Sequence, residues 1–248
     1  MPISPNQGST GGGTLVTITG TNLSNTSAVT FGTKPATSVT NVSPTQVTAV
    51  SPSGAGTVGV TVTTPGGTSN PVSFFYVGAP FKSSLGTSSG PLAGGNTITI
   101  NGTGLSTATS VSFGGNTAVP TVNSDSSLSV VVPAGAAAGP VAVTVTTAGG
   151  SNNGLSYTYV DAPTITTVNP TSGPASGGTA VTITGTNLDT TSSVTFAGTA
   201  APFSVINATT LSAVTPPGTV GAVDVVVTNP AGSATDVGGF TYVAGPGI

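Results

Sequence analysis

Chemistry in a protein needs ionisable or metal-binding side chains held in register, and this chain carries few of them. Among its 248 residues the charged ones are Lys34, Lys82, Asp125, Asp161, Asp189, Asp224 and Asp236, and there is no His, Cys, Trp, Arg or Glu. A serine or threonine nucleophile needs a neighbouring base, usually histidine, so no acyl-transfer triad is expected. Glycoside hydrolysis needs two facing carboxylates. The five aspartates fall at unrelated places: Asp125 in a turn, Asp161 in a linker, Asp189 after a Gly-Thr-Asn-Leu stretch, Asp224 within a strand and Asp236 before the last strand. No catalytic residue and no cofactor is assigned, and the chain reads as a non-enzyme.

Binding chemistry is thin for the same reason. Calcium takes several oxygen ligands, and Asp161 stands at a junction, but its counterparts Gly78 and Ala244 are not acidic. Asp161 therefore reads as a solvated linker residue, and no metal ligand is assigned. Asp224 between Val223 and Val225 reads as a solvent-facing strand residue that discourages edge pairing. Gly-Gly pairs recur without the lysine and helix of a phosphate-binding loop, so they read as turns. Sugar sites use aromatic platforms, yet Tyr76, Tyr157, Tyr159 and Tyr242 lie in closing strands, where core or sandwich edge is the simpler reading. The sequons at Asn22, Asn25, Asn41, Asn101 and Asn207 read as chance matches in a chain with 48 Thr and 30 Ser. Two lysines 48 positions apart give no phosphate-neutralising footprint, so no nucleic-acid partner is expected. Apolar residues alternate with Thr, Ser and Gly and never run for the roughly 18 positions of a membrane helix, so no membrane span is expected. Met1-Pro2-Ile3-Ser4-Pro5 has neither the basic nor the apolar region of a signal peptide.

The elements that carry these residues must be strands. With 37 Gly, 20 Pro and 33 Val the composition suits short strands joined by turns. Self-similarity shows three copies of about 83 residues. Gly12-Gly13-Thr14-Leu15-Val16-Thr17-Ile18-Thr19-Gly20 returns as Gly94-Gly95-Asn96-Thr97-Ile98-Thr99-Ile100-Asn101-Gly102 and as Gly177-Gly178-Thr179-Ala180-Val181-Thr182-Ile183-Thr184-Gly185. Val29-Thr30-Phe31 returns at Val111 and Val194, and Phe74-Phe75-Tyr76 at Tyr157 and Phe240. Alternation at Val58, Val60 and Val62, and at their counterparts, has the period of half-buried strands. About seven strands per copy with regular turns describe a β-sandwich. A unit of this size buries its own core, so the copies are expected to be beads rather than solenoid turns.

These residues resemble the IPT/TIG domain: Gly-Gly-x-x-Val-Thr-Ile-x-Gly-x-x-Leu, then Val-x-Phe-Gly, a proline after the middle strands (Pro52, Pro133, Pro216), Val-x-Val-x-Val and a closing Phe-x-Tyr. The resemblance covers nearly the whole chain. It implies an all-β fold of three tandem early-type immunoglobulin-like β-sandwiches, over residues 1–79, 80–162 and 163–248, the last with a linker-like tail. The first copy departs from the family's Ser-Gly-Pro opening with Gly8-Ser9, and Phe196-Ala197 departs from Phe-Gly. The family occurs in cell-surface receptors, bacterial surface proteins, transcription factors and carbohydrate-active enzymes, so fold alone leaves function open.

The linkers Val77-Gly78-Ala79-Pro80 and Val160-Asp161-Ala162-Pro163 are short and stiffened by proline, which predicts an elongated rod. The tail Val243-Ala244-Gly245-Pro246-Gly247-Ile248 repeats their form. In that register Ile248 matches Ile165, while Ile3 matches Leu85 and Val168. The tail of one chain and the start of another would therefore restore a complete first strand, with Ile3, Gly245, Pro246, Gly247 and Ile248 at a subunit joint. Two readings stand: an array of repeats divided between units, or a sheet edge completed by another subunit. A surface with 3% charge offers little repulsion between copies. The expected role is a non-enzymatic structural protein, a stalk or filament unit of an extracellular or cell-surface structure that assembles head to tail. The alternatives are an adhesion module that binds a carbohydrate or receptor, and a phage or virion tail appendage.

Overall fold

The computed structural model describes residues 1–245, with residue 153 described by its backbone alone; Pro246, Gly247 and Ile248 lie outside the described residues. Every regular element among them is a strand. In the first repeat these are β1 (Ile3–Ser4), β2 (Gln7–Ser9), β3 (Leu15–Thr19), β4 (Ala28–Phe31), β5 (Lys34–Pro35), β6 (Ser38–Ser43), β7 (Gln46–Val50), β8 (Gly56–Thr64), β9 (Gly67–Thr68) and β10 (Val72–Val77). One sheet runs β1-β3-β7-β6 and the other β2-β10-β8-β4-β5, with β9 on β8. The strand count exceeds the seven expected because short return pieces pair at the rims and the opening strand divides. Ile3–Ser4 joins the first sheet antiparallel to β3, and Gln7–Ser9 joins the second, parallel to β10.

The third repeat has the same two orders. Thr164–Asn169, Ala180–Thr186, Thr210–Val214 and Phe203–Asn207 form one sheet; Ser172–Pro174, Gly232–Val243, Gly221–Asn229, Ser193–Phe196 and Thr199–Ala200 form the other. The middle repeat follows suit, with its opening strand at Phe81–Leu85 beside Thr97–Thr103 and its closing strand at Gly150–Val160. By compactness the chain groups into two units, Met1–Gly86 with Thr97–Val131 and Ala142–Leu155, and Thr87–Asn96 with Val132–Val141 and the chain from Ser156.

Alternation decides which side chains leave water. Along β3 the pattern places Val16 and Ile18 inside, both fully buried, with Val29, Phe31, Val60, Val62 and Phe74 against them. The third repeat buries Val181, Ile183, Val194, Phe196, Val225, Val227 and Phe240 in the same places. Rings pack edge to face, Phe31 on Phe74 at 5.1 Å and Phe196 on Phe240 at 5.5 Å between centroids, which adds to the burial of their area. The outer faces carry hydroxyls instead, and these pair across strands: Thr30 with Thr61 at 2.7 Å, Thr63 with Thr68 at 3.0 Å, Thr146 with Ser151 at 3.0 Å and Thr228 with Ser233 at 2.8 Å.

One corner recurs three times. The proline that follows the middle strand turns its carbonyl inward, and the closing tyrosine donates to it: Tyr76 to Pro52 at 2.8 Å, Tyr159 to Pro133 at 2.7 Å and Tyr242 to Pro216 at 2.6 Å. The Gly-Gly turn packs on the same backbone. Gly12, Gly94 and Gly177 have φ of +82°, +67° and +74°, and a Cβ at any of them would strike the proline's carbonyl group. Thus the Gly-Gly pairs serve a turn, as their context suggests. The expected consequence is that Tyr242→Phe costs about 1–2 kcal/mol in the third repeat by leaving the Pro216 carbonyl without its donor. Denaturant unfolding should show a lower midpoint with an unchanged slope.

Candidate functional site

Four charged side chains, Lys34, Lys82, Asp125 and Asp224, are occupied locally. The Asp125 carboxylate accepts from the Ser106 hydroxyl at 2.8 Å and from the Gly104 and Ser106 amides at 3.1 and 3.4 Å. Those bonds, the Ser106 hydroxyl first, hold its carboxyl below the usual carboxylate range. Asp224 is exposed, as read from the sequence, but its strand is internal to its sheet rather than an edge. Its carboxylate accepts from the Gly238 amide at 2.9 Å beside a bulge in the pairing of Gly221–Asn229 with Gly232–Val243. The edge-blocking reading of Asp224 is therefore replaced by a backbone cap. Asp161 contributes its carbonyl, which accepts from the Asn229 side chain at 2.9 Å. No group of three or more His, Cys, Asp or Glu side chains gathers among the described residues. All four tyrosines are buried, and burial raises the phenol of each.

The feature that differs among the repeats is the opening strand. In the third, Thr164 and Ile165 pair with Thr186 and Gly185, and Ile165 packs against the core. The strand comes so close that a Cβ on Gly185 would collide with the Thr164 carbonyl. The turn that follows reaches back as well: Asn187, at φ 55°, donates its side-chain amide to the Ala162 carbonyl at 2.9 Å. In the second repeat Phe81 and Lys82 pair with Thr103 and Gly102, and a Cβ on Gly102 would meet the Phe81 carbonyl. Lys82 occupies the place of Ile165. It is only 5% exposed, and its ammonium donates to the carbonyls of Val143 and Asn152.

In the first repeat the described opening strand is Ile3–Ser4. Ile3 lies opposite Ile18 and packs against the first repeat's own core, and the Thr19 amide reaches the Pro2 carbonyl at 3.0 Å. Beyond Thr19, the counterparts Gly20 and Thr21 have no opening-strand partner among the described residues. A cleft of about 660 Å³ stands there, lined by Pro2, Gly20, Thr21, Ser69, Asn70 and Pro71 among others. Ser69 is the sequence counterpart of Asn152, whose carbonyl takes the Lys82 ammonium. Of the joint residues named from sequence, Ile3 thus serves its own domain, Gly245 is exposed, and Pro246, Gly247 and Ile248 lie outside the described residues. Sequence reading missed the burial of Lys82; its alignment with Ile165 was the available signal.

Burial lowers the Lys82 ammonium from its ordinary value near 10.5 to about 8. The unfolded chain therefore holds a proton between about pH 8 and 10.5 that the folded chain has released, and the middle repeat gains stability as pH rises through that window. The buried phenols act in the opposite sense above pH 10, since their folded values are raised. Melting of the intact chain between pH 7 and 9.5 should show the rise, and Lys82→Met, which keeps the stem and removes the charge, should flatten it and raise the melting temperature at pH 7.

Comparison with known proteins places this geometry. The family model described as the IPT/TIG domain matches residues 1–76, 80–159 and 163–242. The structure of the plexin A4 full extracellular region aligns over 100% of this chain at 22% identity with a TM-score of 0.51, and this chain spans 24% of it. The Escherichia coli adhesin FdeC aligns over 98% of this chain and 96% of its own at 16% identity, TM-score 0.35. A Bacteroides ovatus SGBP-B from a mixed-linkage glucan utilization locus, in complex with a heptasaccharide, aligns over 96% and 66% at 16% identity, TM-score 0.32.

Proposed function

The chain belongs to the IPT/TIG domain family, and from that membership we propose that it is a non-enzymatic structural protein of an extracellular or cell-surface setting, a stalk or filament unit that joins head to tail. The observation that carries this reading is how the chemistry-bearing groups are spent. Asp125 and Asp224 cap backbone amides, Lys82 is buried, and three tyrosines tie proline carbonyls. What faces water is mostly hydroxyl, amide and aliphatic surface with 3% charged residues in the chain, which offers little to repel a second copy. We place the joint at Ile3 and at Gly245, Pro246, Gly247 and Ile248, because the tail repeats the linker sequence that leads into each following domain. Domain limits of 1–79, 80–162 and 163–248 follow from the same linkers.

A second reading, a carbohydrate- or receptor-binding module, has one observation in its favour. A cleft of about 600 Å³ is lined by Gln7, Thr14, Ser106, Thr107, Thr109 and Thr147 together with Pro5, Ala108 and Ala148, a mixed polar and apolar wall of the kind a sugar could rest against. It has no aromatic platform. Binding on a glycan array by the single subunit supports this reading over the first.

The structural reading is tested by sedimentation velocity and electron microscopy of the full chain over a range of concentration. Wild type should form end-to-end oligomers. Deleting Gly245 to Ile248 should weaken each contact about a hundredfold, about 2.7 kcal/mol, and leave single subunits with unchanged circular dichroism. A wild-type chain that stays monomeric at high concentration overturns the proposal.

A further inference from the structure

We infer that the edge strand Phe203–Asn207 of the third repeat pairs with the same strand of a second copy, antiparallel about a two-fold axis through Ser204. The strand stands at the end of its sheet, bonded on one side to Thr210–Val214. Hydrogen-bond direction alternates along an antiparallel strand, and the Val214 amide, donating to the Pro202 carbonyl at 2.9 Å, sets the phase. Ser204 therefore bonds toward Ser212, while the amides and carbonyls of Phe203 and Val205 point out from the sheet's edge, and no other described element takes them. A bulge between Val205 and Asn207 ends the regular stretch. Outward donors and acceptors two residues apart complement themselves. With Phe203 opposite Val205 of the partner subunit, they make four hydrogen bonds, and Ser204 lies opposite its own counterpart.

The equivalent edges of the other two repeats each lack a part of this arrangement. In the second, Pro120 takes the place of Phe203, so one outward donor is missing, and Asp125 follows the strand. In the first, Asn41 takes the place of Val205, and its carboxamide is spent on the Thr26 amide and carbonyl at 3.0 and 3.1 Å. The third repeat has neither device. No charged residue stands between Asp189 and Asp224, and an uncharged edge of strand-forming residues is a template for pairing. Its side chains suit the same register. Phe203 packs against the core, and Val205, on the same face opposite Leu211, is 39% exposed. Pairing sets Phe203 of the partner subunit beside Val205, an aromatic ring on a β-branched side chain. The occupant is a second copy because the register that satisfies Phe203 and Val205 is met by those same two residues. Four bonds are fewer than the roughly ten of a stable interface, so the contact is weak, and it shares no residue with the head-to-tail joint.

The chain has no cysteine, so a single introduced thiol reports the contact cleanly. Ser204→Cys sets two thiols at a non-hydrogen-bonded antiparallel pair, where Cα atoms stand about 4.5 Å apart, within disulfide reach. Thr40→Cys and Thr121→Cys, at the equivalent exposed places in the other repeats, are the controls. Under mild oxidation of the full chain at equal concentration, Ser204→Cys should form disulfide-linked dimer roughly tenfold faster than either control, because its thiols are already brought together. Adding Phe203→Pro, which copies Pro120 and removes two of the four bonds, should weaken the pairing roughly thirtyfold and bring the rate to that of the controls. Val205→Lys, at an exposed site, should do the same and serves if the proline variant does not fold, with circular dichroism as the check. Deleting Gly245 to Ile248 should leave the Ser204→Cys rate unchanged. If the three thiols link at one rate, or if Ser204→Cys keeps its rate beside both Phe203→Pro and Val205→Lys, the edge pairing is wrong and the head-to-tail reading is untouched. A Ser204→Cys rate that falls to the control level when the tail is deleted also overturns it, because the other joint then brings the thiols together.

Discussion

A phenol hydroxyl donating to a proline carbonyl connects the two sheets at one end of each repeat. In the first, Pro52 follows β7 in one sheet and Tyr76 stands near the end of β10 in the other. The ring lies over Gly54, where a Cβ would enter it, and the Gly12 turn rests on the far side of the same proline. Burying a hydroxyl is costly without a partner, so the carbonyl, the glycine and the turn must arrive together. Because Val77 is the next residue and the linker follows, this bond also fixes where the chain leaves one sandwich for the next.

At the other end, the opening strand shows how little a fold of this kind asks of one position. Lys82 and Ile165 hold equivalent places, one with an ammonium on two carbonyls and the other with an aliphatic chain against a core. What the two repeats share is backbone: the close approach of the strand to Gly102 or Gly185. Side-chain identity there is loosely constrained, and the glycine opposite is tightly constrained.

That asymmetry explains what could be read from the sequence. The three repeats, the buried faces of Val16, Ile18, Phe31 and Val60, and the Gly-Gly turns were legible because each rests on local periodicity or backbone freedom. The tyrosines were read as core or sandwich edge, but their proline partners sit 24 and 26 positions away, and no spacing rule joins them. The burial of Lys82 could not be read, because burial of an ammonium depends on carbonyls of two other strands. Asp224 was read as exposed, but its amide partner appears only where a bulge brings Gly238 across. Asn22 and Asn187 looked like ordinary members of a Thr- and Asn-rich chain. The bond from Asn187 depends on a positive φ and on the Ala162 carbonyl of the linker, which composition does not report.

The burial of Lys82 also bears on how the protein would age in the open. Enzymes that cut polypeptides beside basic side chains need an accessible lysine or arginine in a segment that can bend into their cleft. Here one lysine is sealed between sheets, and the other, Lys34, is followed directly by Pro35 and donates to the Ser53 carbonyl at 2.9 Å. A digestive protease of that specificity finds no susceptible bond on the folded chain, and unfolding would expose a single new one, after Lys82. For a chain built of small, weakly charged sandwiches, durability against such enzymes comes from a shortage of recognition points as much as from stability.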